Sequence, residues 1–133
     1  MTEIIGRGEK TALAILKEIY GERDDIEYFT QYKFKDLLKG EWVDTVTERQ
    51  EKETIDIVVK TPRKTLAVRI QDPHHNGRIT EMRDKVQRKT LEWNEVAVVD
   101  LWFHESPELF KEKLNDQSRN EVVTILKSLG VYP

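Results

Sequence analysis

The chain has 133 residues, 38% of them hydrophobic and 35% charged, and contains no cysteine. That is the size of one domain able to bury a core, and it excludes disulfide frameworks and cysteine-based zinc sites. The formal net charge of −3 argues against indiscriminate nucleic-acid binding, and no run nears the ~18 apolar residues of a membrane span.

The N-terminal Met-Thr-Glu-Ile-Ile-Gly-Arg lacks the apolar core of a signal peptide, so an intracellular, cytoplasmic location is expected. Helical periodicity begins after Gly6-Arg7-Gly8: Ala12, Leu13, Ile15, Leu16 and Ile19 share a broad face, and Gly21 is placed to stop the helix. Glu9 projects from the edge of that stripe. Tyr28–Phe34 has the aromatic content of a strand. Asp36–Gly40 reads as a short helical turn and residues 44–53 as a polar loop. In the strand Ile55–Val59, Asp56 and Val58 share one face, while Ile55, Ile57 and Val59 share the other. Thr61-Pro62-Arg63-Lys64 turns the chain. Leu66–Gln71 brings it back with Ala67, Arg69 and Gln71 on one side, and Asp72-Pro73 closes the strand.

From Ile79 to Trp93 the spacing predicts an amphipathic helix with Ile79, Met82, Val86, Leu91 and Trp93 facing inward. Val96–Leu101, apolar except at its end, suits a buried sheet interior. Ser106-Pro107 predicts a cap and helix start running to about Leu114. A last helix is expected over Asn120–Leu129, stopped by Gly130. The order α-β-β-β-α-β-α-α predicts a single α/β domain over residues 1–133, with a mixed sheet of about four strands flanked by helices.

Charge is unevenly distributed. Residues 60–89 hold nine Lys or Arg against Asp72, Glu81 and Asp84, a local +6 in a chain of −3. Lys64, Arg78, Arg83, Lys85, Arg88 and Lys89 are the candidate phosphate contacts of such a segment; an ordinary solvated helix face is the alternative. Asp56 interrupts an Ile/Val strand, which costs stability unless the carboxylate is paired or bound to a cation. It would serve as a ligand for Mg²⁺ or Mn²⁺, hard cations held by oxygen donors, or pair with Arg69 across the hairpin. His74 and His75 follow Asp72 and point apart on an extended chain, so one of them at most would reach a given site. Trp42, Trp93 and Trp102 are candidates for packing or for stacking on bases.

Glu9 on the first helix, Gln31 on the first strand, Asp56 in Ile-Asp-Ile-Val-Val, the Leu-Ala-Val-x-Ile-x-Asp strand, His74-His75 and the Arg83-Asp84-Lys85 helix occur in a meaningful order. Over roughly residues 5–105 this set resembles the PD-(D/E)XK (restriction-endonuclease-like) nuclease superfamily, nearest to the very-short-patch-repair endonucleases. Those show an aspartate strand, a Leu-Ala-Ile-Glu-x-Asp-Gly strand, a histidine soon after, and an Arg-Asp-x-x-Lys-x-x-x-Leu helix. The resemblance implies that Asp56 is the metal-binding aspartate, Glu9 an accessory acid, Gln31 a polar neighbour, and His75 (or His74) the histidine. Asp84 and Arg88 would match the polar residues of the long helix.

Arg69 stands where the family has its second acid and Gln71 where it has its lysine. A guanidinium cannot ligate a cation, so either Asp72, Glu81 or Asp84 replaces that acid or cleavage is lost. The expected function is therefore a DNA-interacting, Mg²⁺- or Mn²⁺-dependent endonuclease-like protein with Asp56, Glu9, Arg69, Gln71 and His75 at its centre and Asp56, Glu9 and Asp72 toward the metal. The alternatives are a degenerate DNA-binding module of the same fold and a structural or oligomeric protein. A homodimer is expected by analogy with other small nuclease domains.

Overall fold

Residues 8–71 and 78–133 are described by a computed structural model. It contains helix α1 (Glu9–Tyr20), strands β1 (Glu27–Lys33), β2 (Thr54–Lys60) and β3 (Thr65–Gln71), helix α2 (Arg78–Trp93), strand β4 (Val96–Trp102), and helices α3 (Pro107–Phe110) and α4 (Asp116–Ser128). The four strands form one sheet in the order β1-β2-β3-β4. β1, β2 and β3 run antiparallel in turn, and β4 runs parallel to β3. A parallel neighbour needs a crossover, and α2 provides it. The expected α/β architecture, a mixed sheet flanked by helices, is what the chain forms. Among the described residues no helix is long and apolar enough to cross a membrane.

The sheet is buried on both faces. Ile57 and Val59 of β2, Leu66 and Val68 of β3, and Val99 and Leu101 of β4 pack beneath α1, α3 and α4, against Ile15, Leu16, Leu109, Val122 and Leu126. Val58, Ala67, Val96 and Val98 pack on the other side against Leu91 of α2 and against Phe34, Leu37 and Leu38 of the β1–β2 connection. Three 3₁₀ turns occupy that connection, where the sequence suggests a turn and a loop. α1 starts at Gly8, whose φ of +88° is left-handed and whose carbonyl accepts the first helical bond from Ala12 N at 2.9 Å.

Helix α2 presents the opposite face to the one its apolar residues predict. Leu91 is buried, but Met82, Val86 and Trp93 are 64%, 52% and 65% exposed. Asp84, Gln87, Arg88 and Leu91, spaced i, i+3, i+4, i+7, face the sheet instead. The cause lies in the sheet, whose C-terminal end carries the polar side chains Arg69, Gln71 and Asp100 on this face. A buried polar patch must be met by polar partners, so only the last turns of α2 supply apolar cover. Trp93 packs on Trp42 with ring centroids 5.3 Å apart.

The C-terminal helices also depart from expectation. α3 is one turn long and ends before Glu112, which takes a left-handed φ of 60°. Ser106 is buried, but its side chain makes no cap. The Glu121 carboxylate accepts the Glu108 and Leu109 amides in its place, at 3.1 and 2.9 Å. α4 begins at Asp116 rather than Asn120 because Asn115 and Ser118 form a reciprocal capping box.

Candidate nucleic-acid interface

Asp56 sits at a planned break in the sheet. β1 and β2 hold one register on both sides of the Gln31–Asp56 rung, yet that rung itself is unpaired, and Gln31 has a left-handed φ of 51°. Phe29 and Tyr32 pack in the same layer, and so do Ile55 and Val58, although each pair is three residues apart. Strict alternation would separate them, so both strands lose the period once, at the same place. Ile55 thus joins the layer of Val58, contrary to the simple two-face reading.

On its other side β2 pairs with β3 only over Ile57–Lys60 and Thr65–Val68. Beyond that the Asp56 carboxylate takes over a ladder position, accepting the Ile70 amide at 2.7 Å. The charged bond satisfies a backbone donor that the diverging strands leave without a carbonyl.

Arg69 does not pair with Asp56. Its guanidinium engages Asp100 of β4 side by side, Nε to Oδ1 at 2.6 Å and Nη2 to Oδ2 at 2.9 Å. The parallel register places these two residues opposite each other. Both are buried, with side chains 8% and 4% exposed. Nη1 of Arg69 donates to the Asp84 carbonyl and to Gln87 Oε1, each at 3.1 Å. Asp100 also accepts from Gln71 Nε2 at 3.2 Å and from Arg88, and Gln87 donates to Glu53 at 3.0 Å. Burial lowers the Arg69 pKa from its ordinary value, while Asp84 first, then Asp56, Glu53 and Glu92, oppose that shift. Arginine nonetheless remains charged.

Around this network run two contiguous recesses. A cleft of about 360 Å³ is bordered by Glu53, Thr54, Asp56, Arg69, Gln71, Arg83, Asp84 and Gln87. A second, of about 520 Å³, is bordered by Arg69, Asp84, Lys85, Arg88, Asp100 and Trp102. Arg69 and Asp84 border both, and the two recesses adjoin across the Arg69–Asp84 contact, which bridges the groove between the open end of the sheet and α2. Carboxylates line its floor, and the cations Arg83 and Lys85 stand exposed at its rim.

The residues expected at the site divide accordingly. Asp56, Arg69, Gln71, Arg83, Lys85 and Arg88 meet along the groove. Glu9 does not border it: it is 3% exposed and accepts from Gln31 Nε2 at 2.7 Å. Gln31 Oε1 in turn accepts from Thr54 at 2.9 Å, so a chain of two side chains links Glu9 to the cleft wall. Lys64 lies in the hairpin turn, at the far end of β3, beside Tyr20 and Val131. Lys89 is an exposed residue of α2 bordering neither recess. Asp72, His74, His75 and the side chains of Arg78, Ile79 and Glu81 lie outside the described residues.

Asp100, Glu53 and Gln87 are functional neighbours that sequence reasoning missed. A lone carboxylate near the end of an apolar strand was the signal for Asp100; the parallel register that brings it to Arg69 is not written in the sequence.

The described donors fit a divalent ion poorly. Asp56, Glu53 and Asp84 approach one cleft, but the Arg69 guanidinium lies among them and would repel a cation. Among the described residues no three His, Asp or Glu are grouped to hold a metal ion. Compared with known proteins, the chain gives no significant match to any family model, curated protein or solved structure.

Proposed function

We propose that this protein is a nucleic-acid-binding module, DNA its expected ligand, built on a nuclease-like frame whose second-acid position is taken by an arginine. The observation that carries the reading is the pair of adjoining recesses that share Arg69, one lined by Asp56 and Arg83 and the other by Lys85 and Arg88. Arg83, Lys85 and Arg88 contact backbone phosphates, which is where most protein–DNA affinity originates. Arg69 offsets part of the carboxylate charge on the floor, in place of a bound cation. Its bidentate lock on Asp100 keeps the guanidinium immobile.

Metal-assisted phosphodiester hydrolysis is the second reading, resting on the Glu53, Asp56 and Asp84 carboxylates that border one cleft, although these three are not grouped to hold an ion. Self-association is proposed through the outer face of α2, where Met82, Val86 and Trp93 are exposed. One set of assays separates these readings. Labelled DNA should bind with an affinity that falls steeply between about 50 and about 200 mM salt. Incubation with Mg²⁺ or Mn²⁺ should leave plasmid and oligonucleotide intact. Cleavage that disappears in Asp56→Ala would instead establish the hydrolytic reading, and salt-insensitive or absent DNA binding would overturn both. Sedimentation of the wild type and of Val86→Asp tests the dimer.

A further inference from the structure

The second recess of the groove has an aromatic wall, and from it we infer that the ligand is a nucleic acid carrying an unpaired base, which stacks on Trp102. This rests on the nucleic-acid reading above and adds the ligand's secondary structure. Trp102 is the last residue of β4, paired in register with Gln71 at the end of β3. It is 38% exposed, and it borders the recess together with Lys85 and Arg88. Its ring lies 5.9 Å from that of His104, tilted by 35° to it. Phe103, by contrast, is engaged edge-on with the buried Phe110, so the indole is the aromatic surface offered to the groove.

An indole face beside the exposed Lys85, with Arg88 anchored on Asp100 next to it, matches one nucleotide unit: a planar base against the ring and its phosphate against the ammonium group. Bases inside a duplex already stack on their neighbours and present only edges, so a duplex interior cannot use this wall. A single strand, a gap, a frayed end or an extruded nucleotide can. Stacking of this kind is tolerant of sequence, because every base has a π-face.

The test compares the affinity of the whole protein for oligo(dT), for a loop-free, GC-clamped blunt duplex of the same phosphate count, and for a single strand with abasic sugars. The wild type should prefer oligo(dT) over both others by about 5- to 100-fold, the range spanned by one base–aromatic stack. Trp102→Leu should erase that preference while leaving salt-dependent duplex binding, and Trp102→Tyr should restore most of it. Melting curves show whether each variant is folded. Should Trp102→Leu fail to fold, the abasic comparison on the wild type decides alone. Equal, salt-sensitive affinity for all three ligands would overturn the inference and leave the binding function standing. Absence of salt-sensitive affinity for any of them would overturn both.

Discussion

Replacing Arg69 by methionine removes one half of a pair in which both side chains are over nine-tenths buried. Leaving one member of such a pair without its partner costs about 3–5 kcal/mol. Asp100 keeps Gln71 and Arg88, which places Arg69→Met near the lower end, about 3 kcal/mol. Asp100→Leu strands Arg69 with the Asp84 carbonyl, Gln87, and the Asp84 carboxylate at 3.9 Å, for a similar loss. The double replacement strands neither charge, and apolar substitution of a whole buried pair is often neutral or stabilising. It still leaves Arg88 and the buried Gln71 amide without Asp100, so it should cost about 1–3 kcal/mol, well below the sum of the two singles. Against a total stability on the order of 5–15 kcal/mol, each single change is easily resolved. Urea unfolding followed by circular dichroism, with m-values checked for constancy, measures it. A cost under about 1 kcal/mol for Arg69→Met, or strict additivity in the cycle, would refute the buried-pair description.

Other expectations follow from single contacts. Gly8→Ala should destabilise by about 1–2 kcal/mol, because Gly8 has a φ of +88° and an added Cβ would meet the Leu109 carbonyl at 3.3 Å; thermal unfolding reads this directly. The Ser106 hydroxyl is buried without a hydrogen-bond partner, so Ser106→Ala should be neutral or stabilise by up to about 1 kcal/mol, and a marked loss in urea unfolding would contradict it. Tyr20 donates to the Val131 carbonyl at 2.7 Å, and burial, with a smaller contribution from Tyr28, pushes its pKa from 10.0 up to about 12. A raised folded-state pKa contributes stability that is complete below the unfolded value and lost as pH climbs through the folded one. Unfolding titrations should therefore show stability falling across pH 10 to 12, with a shallower fall in Tyr20→Phe.

Much of the frame was legible in the sequence because it follows from short-range periodicity. The strands Ile55–Val59 and Leu66–Gln71, the turn at Pro62 and the buried Val96–Leu101 run each carry their own signal, and each is found within a residue or two. The order of elements then left few arrangements open. What could not be read is how elements face one another. The apolar residues of α2 predict one inward face, yet the end of the sheet beneath its first turns is polar, and matching that polarity turns Asp84, Gln87 and Arg88 inward. The Arg69 partner is hidden for a related reason: the hairpin makes Asp56, one of the two options open to it, the nearer acid in sequence, whereas the parallel register with β4 makes Asp100 the nearer acid in space. Glu9 lies on the expected helix, but its carboxylate meets Gln31, whose left-handed φ is a backbone feature carried by a non-glycine residue without a sequence mark.

The slope of DNA affinity against salt, compared between the wild type and Arg83→Ala/Lys85→Ala, bears on the binding groove most directly. Both side chains are exposed, and neither is bonded to Asp100, so the double variant should stay folded. Each phosphate contact releases counterions worth a slope of about 0.9, and losing two should flatten the plot by nearly two units. An unchanged slope would mean that the phosphates lie elsewhere on the molecule.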